Sequence, residues 1–408
     1  MSTERDILII GGGVFGAAIA WSLARRGQGQ RIAVLERRQP ASGATSRAAA
    51  LVTAIRDDAH MVAMAQETFA AIAALEAEGA HLGRHAVGAL HVASAAAGPA
   101  LIERAAAAAG LGIRSERVTR AQVNQLAPWL QPQACDCALY FRDDCYLDPY
   151  LLATAYLGAA RQAGVQLRVD TEVRQVLYDD GRVRGVELAD GRRLPANIVI
   201  NAAGAWANLL SVELGLPLPM APVRSQYWIS EPAPIFPRDG AIVLMPEIRA
   251  YARPEVGALL FGVRERSPAV VDARTLPAAL DGFVFDSADP DGWGNLAEGA
   301  GALAAFFPAL ETLGIAHYIT GPSNYTPDGR LIVGRAPGID GLFVASGCNG
   351  SGITFSAGVG RLIAELVLDQ PTFIPAAAFD PARYGRFDPW AAEFLAACAA
   401  TRAGKSAG

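Results

Sequence analysis

The chain has 408 residues, of which 52% are hydrophobic; it is longer than one core supports, so we expect two domains. Its 35 basic and 40 acidic side chains give a formal net charge of -5, and no basic run extends beyond isolated pairs, which argues against a nucleic-acid partner. The sequence lacks a signal-peptide pattern and any apolar stretch of about 18 residues, so we expect a cytoplasmic protein without a transmembrane segment.

Two residue types are scarce in ways that limit the chemistry. The five cysteines are an odd number, with no second pair or nearby histidine to complete a metal site, so we expect neither a disulfide framework nor a metal. Lysine occurs once, at Lys405 in the C-terminal segment. A mechanism that needs a buried catalytic lysine is therefore excluded unless this segment, which we expect to be mobile, folds inward.

The first clear pattern is a strand, a glycine turn, a helix and a second strand. Residues 6–10 are a continuous apolar run, typical of a strand buried on both faces. Helical spacing follows over 14–26 and stops at Gly27, and 31–36 is the second strand. This unit has the length of a mononucleotide-binding half-domain, about thirty residues.

Gly11, Gly13 and Gly16 lie at the turn from the first strand to the helix. In a dinucleotide fingerprint these glycines make the turn, admit the pyrophosphate and let helix and strand pack closely, while the helix N-terminus attracts phosphate. Glu36 ends the second strand, where a carboxylate can hold both ribose hydroxyls. The turn therefore predicts a dinucleotide site; the alternative is a glycine turn with a packing role only.

The middle of the chain predicts a helix and two groups of strands. Amphipathic helical spacing runs over 55–75, and 165–200 is typical of a β-meander that returns to the main sheet, with turns at Asp180-Gly181 and Asp190-Gly191. A second strand-rich region is expected from about 223 to 264.

We therefore predict an α/β (α+β mixed) fold in which a Rossmann-like dinucleotide-binding domain is interleaved with a strand-rich antiparallel substrate domain. The predicted boundaries are 1–85, 140–210 and 316–390 for the first domain, 86–139 and 211–315 for the second, and 391–408 for a tail.

A second glycine turn near the C-terminus favours FAD over NAD. Gly347, Gly350 and Gly352 precede an apolar helical pattern over 353–368. NAD does not need such a turn, whereas a helix N-terminus can stabilise the negative charge that reduction places on the pyrimidine edge of a flavin. The alternative is an ordinary helix start.

Five segments resemble, in order and over essentially the whole chain, the D-amino-acid-oxidase-like flavoproteins. Residues 321–329 (GPSNYTPDG) and 341–353 (GLFVASGCNGSGI) are most similar to the flavin portion of sarcosine and dimethylglycine dehydrogenases and oxidases. The resemblance implies that 42–47 crosses the isoalloxazine and pyrophosphate. The implied FAD-binding residues are Gly11, Gly13, Val14, Phe15, Gly16, Glu36, Arg37, Ala44, Thr45, Ser46, Arg47, Val173, Ala203, Gly204, Trp206, Gly347, Asn349, Gly350, Ser351, Gly352, Ile353 and Thr354.

Several positions depart from the pattern of these relatives. A histidine and a cysteine that attach flavin covalently match Arg47 and a site near Gly321, so the resemblance implies noncovalent FAD. A dimethylglycine-type histidine matches Ser225, and the carboxylate-binding arginine of D-amino acid and glycine oxidases falls on Ser323, which argues against a simple D-amino acid oxidase. The lysine that activates oxygen aligns near Leu260, so O2 and an electron-transfer partner stay open as acceptors.

Three residues are candidates for the chemistry. Tyr251 matches the active-site tyrosine of the dimethylglycine group, the alternative being a half-buried strand tyrosine. Arg56, expected to open the helix after the flavin loop, matches a carboxylate-binding arginine of sarcosine oxidases, and Arg264 lies on a strand near the expected pocket. Either arginine could pair with a carboxylate, surface salt bridges being the alternative.

The predicted function is FAD-dependent oxidation of the C–N bond of a small amino acid or N-substituted amino acid, by hydride transfer to flavin N5 and hydrolysis of the imine. Deprotonating an ammonium is easier than deprotonating an alcohol, so a site poor in histidine and lysine suits an amine. Two alternatives stay open: a 2-hydroxy acid dehydrogenase, and an FAD subunit of a multi-subunit amino acid or opine dehydrogenase.

Overall fold

The computed structural model describes residues 6–56 and 58–405. Residues 1–5, where the sequence shows no signal-peptide pattern, and residues 406–408 of the predicted tail lie outside this part of the chain. Within the described residues, no helix combines the length and apolarity needed to cross a membrane.

The strands, in chain order, are β1 (Ile7–Ile10), β2 (Ile32–Leu35), β3 (Leu51–Val52), β4 (Ala89–Ala93), β5 (Glu116–Arg117), β6 (Cys137–Phe141), β7 (Cys145–Tyr146), β8 (Gln166–Arg168), β9 (Val173–Asp179), β10 (Arg182–Leu188), β11 (Arg193–Pro195), β12 (Ile198–Asn201), β13 (Ala221–Ser230), β14 (Ile242–Met245), β15 (Ala250–Glu255), β16 (Ala258–Val263), β17 (Ile315–Tyr325), β18 (Ile332–Arg335) and β19 (Leu342–Ser346). The α-helices are α1 (Val14–Leu23), α2 (Ala59–Ala77), α3 (Gly98–Ala109), α4 (Arg120–Leu126), α5 (Pro149–Gln162), α6 (Ala207–Ser211), α7 (Trp293–Phe306), α8 (Gly352–Val367) and α9 (Ala392–Gly404).

The predicted strand, turn and helix unit lies at the centre of a six-stranded sheet. The strand order is β18-β19-β12-β1-β2-β8, and every neighbouring pair is parallel except β18 with β19. Ile7 and Ile9 of β1 pack in the core formed with α1, α5 and α8, whereas Leu8 and Ile10 pack against the meander β9–β11. Both faces of β1 are covered, which explains its continuous apolar sequence.

The strand-rich region forms a second, eight-stranded sheet. Its order is β17-β13-β16-β15-β14-β4-β6-β5, and all neighbouring pairs are antiparallel except β14 with β4. Trp228, Phe261 and Phe307 are fully buried in the core beneath it. The predicted mixed α/β fold, with two interleaved regions, is confirmed.

One predicted helix boundary is wrong, and it changes the position of Arg56. The helix expected over 55–75 begins at Ala59, because the Asp58 side chain caps it by accepting the backbone N–H groups of His60 at 2.8 Å and Met61 at 3.3 Å. Arg56 therefore precedes the helix and does not open it.

The C-terminal segment, predicted as a tail, contains helix α9. The Cys398 side chain is fully buried in a small core with Ala221, Val223 and Tyr325, which belong to β13 and β17. The Thr401 hydroxyl donates a hydrogen bond to the Pro327 carbonyl at 3.0 Å, and Arg249 Nη1 donates to the Ala403 carbonyl at 2.6 Å. This segment is therefore folded inward over residues 392–405.

Candidate active site

A cavity of about 730 Å³ lies where the two sheets meet. Its wall combines the glycine turn after β1, the segment after β2, the start of β9, the residues after β12, and parts of β13, β15, β17 and α8. All of the predicted site residues line this cavity except Gly16, Ser46, Asn349 and Arg56. The predicted residues, which are spread over most of the chain, are thus brought together around one space.

At one end of the cavity, the first glycine turn has no room for side chains. A Cβ atom at Gly11, whose φ is +102°, would lie 2.5 Å from the Ala202 carbonyl oxygen. A Cβ atom at Gly16 would lie 2.0 Å from the Gly11 carbonyl oxygen, so Gly16 allows helix and strand to pack and does not face the cavity. This geometry fits the first and third glycines of a dinucleotide fingerprint.

The Glu36 carboxylate is fixed by the backbone around this turn. Its Oε2 accepts the Gly12 N–H at 2.8 Å and its Oε1 accepts the Arg38 N–H at 2.9 Å. Each oxygen retains a lone pair for a further donor, such as a ribose hydroxyl. The Thr45 hydroxyl, from the segment expected to cross the pyrophosphate, accepts the Val14 N–H at 3.1 Å.

Two arginine side chains complete this end of the cavity. The Arg37 guanidinium lies 3.8 Å from the centre of the Trp206 ring, and burial lowers the pKa of Arg37. Arg47 Nη1 donates to the carbonyls of Ser42 and Gly43, at 2.8 and 3.1 Å. A Cβ atom at Gly321 would lie 3.0 Å from the Arg47 Cβ, so the two positions at or near which the resemblance would put a covalent flavin link are neighbours, and neither carries a nucleophile.

The second glycine turn, between β19 and α8, is held in place by Asn349. This residue has a φ of +48°, its N–H donates to the Asn324 carbonyl at 2.7 Å, and its Oδ1 accepts the Thr326 N–H at 2.9 Å. Asn349 is buried and shapes the turn without lining the cavity. Ser46 is exposed and likewise does not line the cavity.

At the other end of the cavity, Tyr251 and Arg264 lie side by side. Tyr251 is paired with Gly262 across β15 and β16, and a Cβ atom at Gly262 would lie 2.5 Å from the Tyr251 ring. Arg264 lies one residue beyond the end of β16, so the prediction that it lies on a strand is wrong by one residue. Its N–H donates to the Arg249 carbonyl at 3.2 Å, and both Arg264 and Tyr251 line the cavity. Burial raises the pKa of Tyr251, so its phenol stays protonated, and lowers the pKa of Arg264.

Several buried polar atoms in the cavity wall have no hydrogen-bond partner among the described residues. They are Trp206 Nε1, Gln226 Nε2, Arg264 Nε, Asn324 Oδ1 and Arg402 Nε. Unsatisfied buried polar groups are costly, so this set fits a cavity whose partners come from a bound polar molecule.

Arg56 lies apart from the cavity wall. Its Nη1 donates to the Thr53 hydroxyl at 3.1 Å and to the Ile55 carbonyl, and its guanidinium lies 5.2 Å from the centre of the Phe355 ring. Of the two arginines proposed for a carboxylate, Arg264 is the one placed in the cavity wall.

Sequence reasoning missed a buried ion-pair network next to Arg264. Glu265 has a fully buried side chain, with Arg224 Nε 3.2 Å from its Oε1 and Arg402 Nη2 3.0 Å from its Oε2. Arg402 comes from α9, lines the cavity and donates to the Tyr325 hydroxyl at 3.2 Å. No local pattern marked it, because its neighbours in space are far away in sequence.

The two glycine turns, the acid after β2 and the long cavity between two sheets are the features of a flavin-dependent oxidoreductase. The residues present fit FAD: the first turn and Glu36 would hold the adenosine and pyrophosphate, and the second turn at the start of α8 would hold the ring.

The family comparison agrees with this site. Residues 6–366 match the DAO family, described as FAD dependent oxidoreductase, and the chain belongs to that family. FAD is therefore its cofactor.

Two of the similar proteins are named as an oxidase and a dehydrogenase of N-methylated amino acids. The chain is 29% identical to 4-methylaminobutanoate oxidase (formaldehyde-forming) of Paenarthrobacter nicotinovorans, over 94% of this chain and 46% of the relative. It is 27% identical to mitochondrial dimethylglycine dehydrogenase of Rattus norvegicus, over 94% of this chain and 45% of the relative. The chain thus spans less than half of the length of these two proteins.

Glycine oxidase of Geobacillus kaustophilus matches at full length. It is 29% identical in sequence, over 94% of this chain and 98% of the relative. Its crystal structure superposes with a TM-score of 0.76 and 27% identity, over 93% of this chain and 98% of that one. The predicted family and its kinship with sarcosine and dimethylglycine enzymes are confirmed.

Proposed function

We propose that the protein oxidises the C–N bond of a small amino acid or N-substituted amino acid, using noncovalently bound FAD. The observation that carries this proposal is Arg264, a half-buried guanidinium in the cavity wall whose Nε has no partner among the described residues. A planar guanidinium with free donors is suited to a carboxylate. The names of the relatives, which are amine and amino acid oxidases or dehydrogenases, support the same substrate class.

The distribution of charge favours an amino acid bound as a neutral amine. The described acidic residues of the cavity wall are Glu36, Glu172 and Asp281, and all three lie near Arg37 or Arg38 at the nucleotide end. The substrate end has Arg264 and Arg402, and no acidic side chain of residues 6–56 or 58–405 lies in its wall. This surrounding attracts a carboxylate and lowers the pKa of a nearby ammonium, so the amine loses its proton on binding.

Tyr251 would act together with Arg264. Because its buried phenol stays protonated, it can donate a hydrogen bond to the substrate carboxylate or fix the amine by accepting one. Bound FAD supplies the hydride acceptor for the carbon next to nitrogen. The two side chains would hold that carbon in one orientation, and the buried wall would keep bulk water from the reacting atoms.

Oxidation of a 2-hydroxy acid is less well supported. An alcohol needs a base to remove a proton of high pKa, and no histidine lines the cavity in the part of the chain that the structure describes. An amine with a free lone pair does not need such a base.

Noncovalent attachment is supported by the residues at the two attachment positions of relatives, Arg47 and Gly321. Cys348 is the one cysteine among the described lining residues of the cavity. Acid precipitation of the purified protein should therefore release all yellow colour into the supernatant. Colour retained in the wild-type pellet but not in a Cys348→Ser pellet would show a covalent bond at that residue.

The proposed function is tested by mixing the FAD-loaded protein with candidate substrates without oxygen and following the visible flavin absorbance. The panel pairs glycine, sarcosine, dimethylglycine, alanine and proline with glycolate and lactate. We expect bleaching by one or more of the amines and none by the hydroxy acids. Bleaching by hydroxy acids alone would overturn the proposal. Reoxidation by O2, compared with that by an artificial electron carrier, then separates an oxidase from a dehydrogenase.

A further inference from the structure

The only lysine of the chain reaches the second glycine turn. Lys405 follows α9 directly, and its Nζ donates to the Asn349 carbonyl at 2.8 Å and to the Ser351 hydroxyl at 2.6 Å. Ser351 lines the cavity and Asn349 shapes the turn. The amine is therefore hydrogen-bonded to a residue of the wall that would surround the flavin ring.

The position of Lys405 is fixed by the fold of the segment before it. Cys398 is fully buried. The Thr401 hydroxyl donates a hydrogen bond to the Pro327 carbonyl, and the Arg249 guanidinium donates one to the Ala403 carbonyl. Arg402, three residues earlier in the chain, pairs with the buried Glu265. With anchors on both sides of α9, the lysine reaches the turn as a consequence of packing.

Lys405 also changes how helix α8 begins. Ser351 is the residue at the N-cap position, where a serine hydroxyl ordinarily accepts a backbone N–H from the first turn. Here the Ser351 hydroxyl makes no such bond and contacts Lys405 Nζ instead. The N–H groups of Gly352, Ile353 and Thr354, all in the cavity wall, are thus left uncapped by this side chain and can face a ligand.

The surroundings of the amine contain positive charge and no carboxylate partner. No described acidic side chain forms an ion pair with Lys405, and burial, followed by the charges of Arg264 and Arg56, lowers its pKa. A buried amine among cations is stabilised in its charged form only when an anion lies nearby. The negative charge that reduction places on the pyrimidine edge of a flavin would be such an anion.

We propose that Lys405 is a positioning residue for the flavin, which holds Ser351 away from the first turn of α8 and adds a cation that stabilises negative charge on the ring. This role does not depend on the identity of the amine substrate. It assigns part of the flavin environment to the last residues of the described chain, outside the segment that matches the family.

The test uses sulfite, an anion that adds to oxidised flavins through its sulfur lone pair and leaves negative charge on the same edge of the ring. In FAD-loaded protein, we expect Lys405→Met to weaken sulfite binding by about tenfold or more. For a two-electron couple this factor corresponds to a midpoint potential lower by about 30 mV. Lys405→Arg, which keeps the charge, should retain sulfite affinity within about threefold.

Arg142→Met is the matched control, since it also removes one positive charge, from an exposed ion pair with Glu116 outside the cavity wall. It should leave sulfite affinity and potential unchanged. Lys405→Gln, neutral but polar, is the second charge-removing variant if the methionine variant does not retain FAD. Unchanged sulfite affinity and potential in a folded, FAD-loaded Met or Gln variant would overturn the proposal. Because sulfite replaces the substrate, this result is independent of the proposed amine oxidation.

Discussion

The two ends of the cavity are built in different ways. The nucleotide end is built around one continuous stretch, from β1 through the glycine turn and α1 to the segment after β2, with additions from the start of β9 and the residues after β12. The substrate end is assembled from β13, β15, β17 and α9, with Tyr251, Arg264 and Arg402 brought together from separate elements. The first end depends on backbone geometry, which is local, and the second on side chains held by long-range packing. Changes at the two ends should therefore have different consequences.

The largest effect is expected at the local end, from Gly11→Ala. A Cβ atom there would lie 2.5 Å from the Ala202 carbonyl oxygen at a φ of +102°, so the turn must move and we expect purified protein without FAD. FAD content and the FAD dissociation constant measure this effect. Gly27→Ala is the control, since Gly27 has a φ of +79° but no atom within 4 Å of its Cβ position. It should cost about 1 kcal/mol of stability and leave FAD bound; equal loss of FAD from both variants would contradict the account of the turn.

At the substrate end, Glu265→Gln should destabilise the whole fold. The variant leaves Arg224 and Arg402 buried without their shared carboxylate, which typically costs about 3–5 kcal/mol. Denaturant unfolding of the FAD-free protein measures the free energy. The control is Asp190→Asn, whose pair with Arg192 is mostly exposed and is therefore expected to contribute little to stability. A Glu265→Gln variant as stable as this control would show that the network does not hold the substrate end together.

Outside both ends of the cavity, stability should depend on pH through Asp144, the residue that precedes β7. Burial raises the pKa of this carboxyl to about 7, while its Oδ1 accepts the Ala54 N–H at 2.8 Å. Because the folded state binds the proton more tightly than the unfolded chain, this contribution is lost as the pH rises from about 4 through 7.

Asp144→Asn keeps the acceptor and removes the titration. The stability of the wild type relative to this variant should fall by an amount on the order of 4 kcal/mol across that pH window. His91, whose pKa is lowered to about 3 by burial, makes a contribution of opposite sign. That contribution cancels in the difference between wild type and variant, because both proteins contain His91. A difference that is constant with pH would refute the assignment.

A more selective effect is expected from Arg264→Met. Loss of a charged hydrogen bond to the substrate carboxylate, about 1.5–3 kcal/mol, should raise the substrate dissociation constant at least about tenfold, while FAD stays bound. Anaerobic titration with the amine that bleaches the flavin measures this constant. Arg56→Met tests the alternative that Arg56 binds the substrate carboxylate. This variant should change the substrate dissociation constant by less than about threefold, because Arg56 lies outside the cavity wall. A larger effect at Arg56 than at Arg264 would reverse the two roles.

The sequence predicted the parts of the molecule that depend on local geometry. The strand and turn around Gly11, the meander turn at Asp180-Gly181 and the turn before α8 all have patterns in which backbone demands are visible in residue type. The helix boundary at Asp58 was missed because hydrophobic spacing began before the capping residue. Family resemblance supplied Tyr251 and most of the FAD-binding positions.

The contribution of α9 could not be predicted by the same means. Arg402 and Lys405 reach the site because α9 packs on β13 and β17, which no pattern within 391–408 indicates. The one available signal was that Lys405 is the only lysine of the chain. It raised the question of whether the C-terminal segment folds inward, but it did not answer that question. Long-range packing of this kind is determined by the complementary surfaces of distant segments, which a single sequence does not display.

The central claim is that one cavity holds FAD at its local end and a carboxylate at its assembled end. It is tested most directly by titrating the FAD-loaded protein with acetate, a carboxylate that cannot be oxidised here, and recording the visible flavin spectrum. The account predicts a saturable spectral shift that competes with substrate and is weakened about tenfold or more by Arg264→Met. A spectrum that acetate leaves unchanged, or a shift that is equal in the Arg264→Met variant, would contradict it.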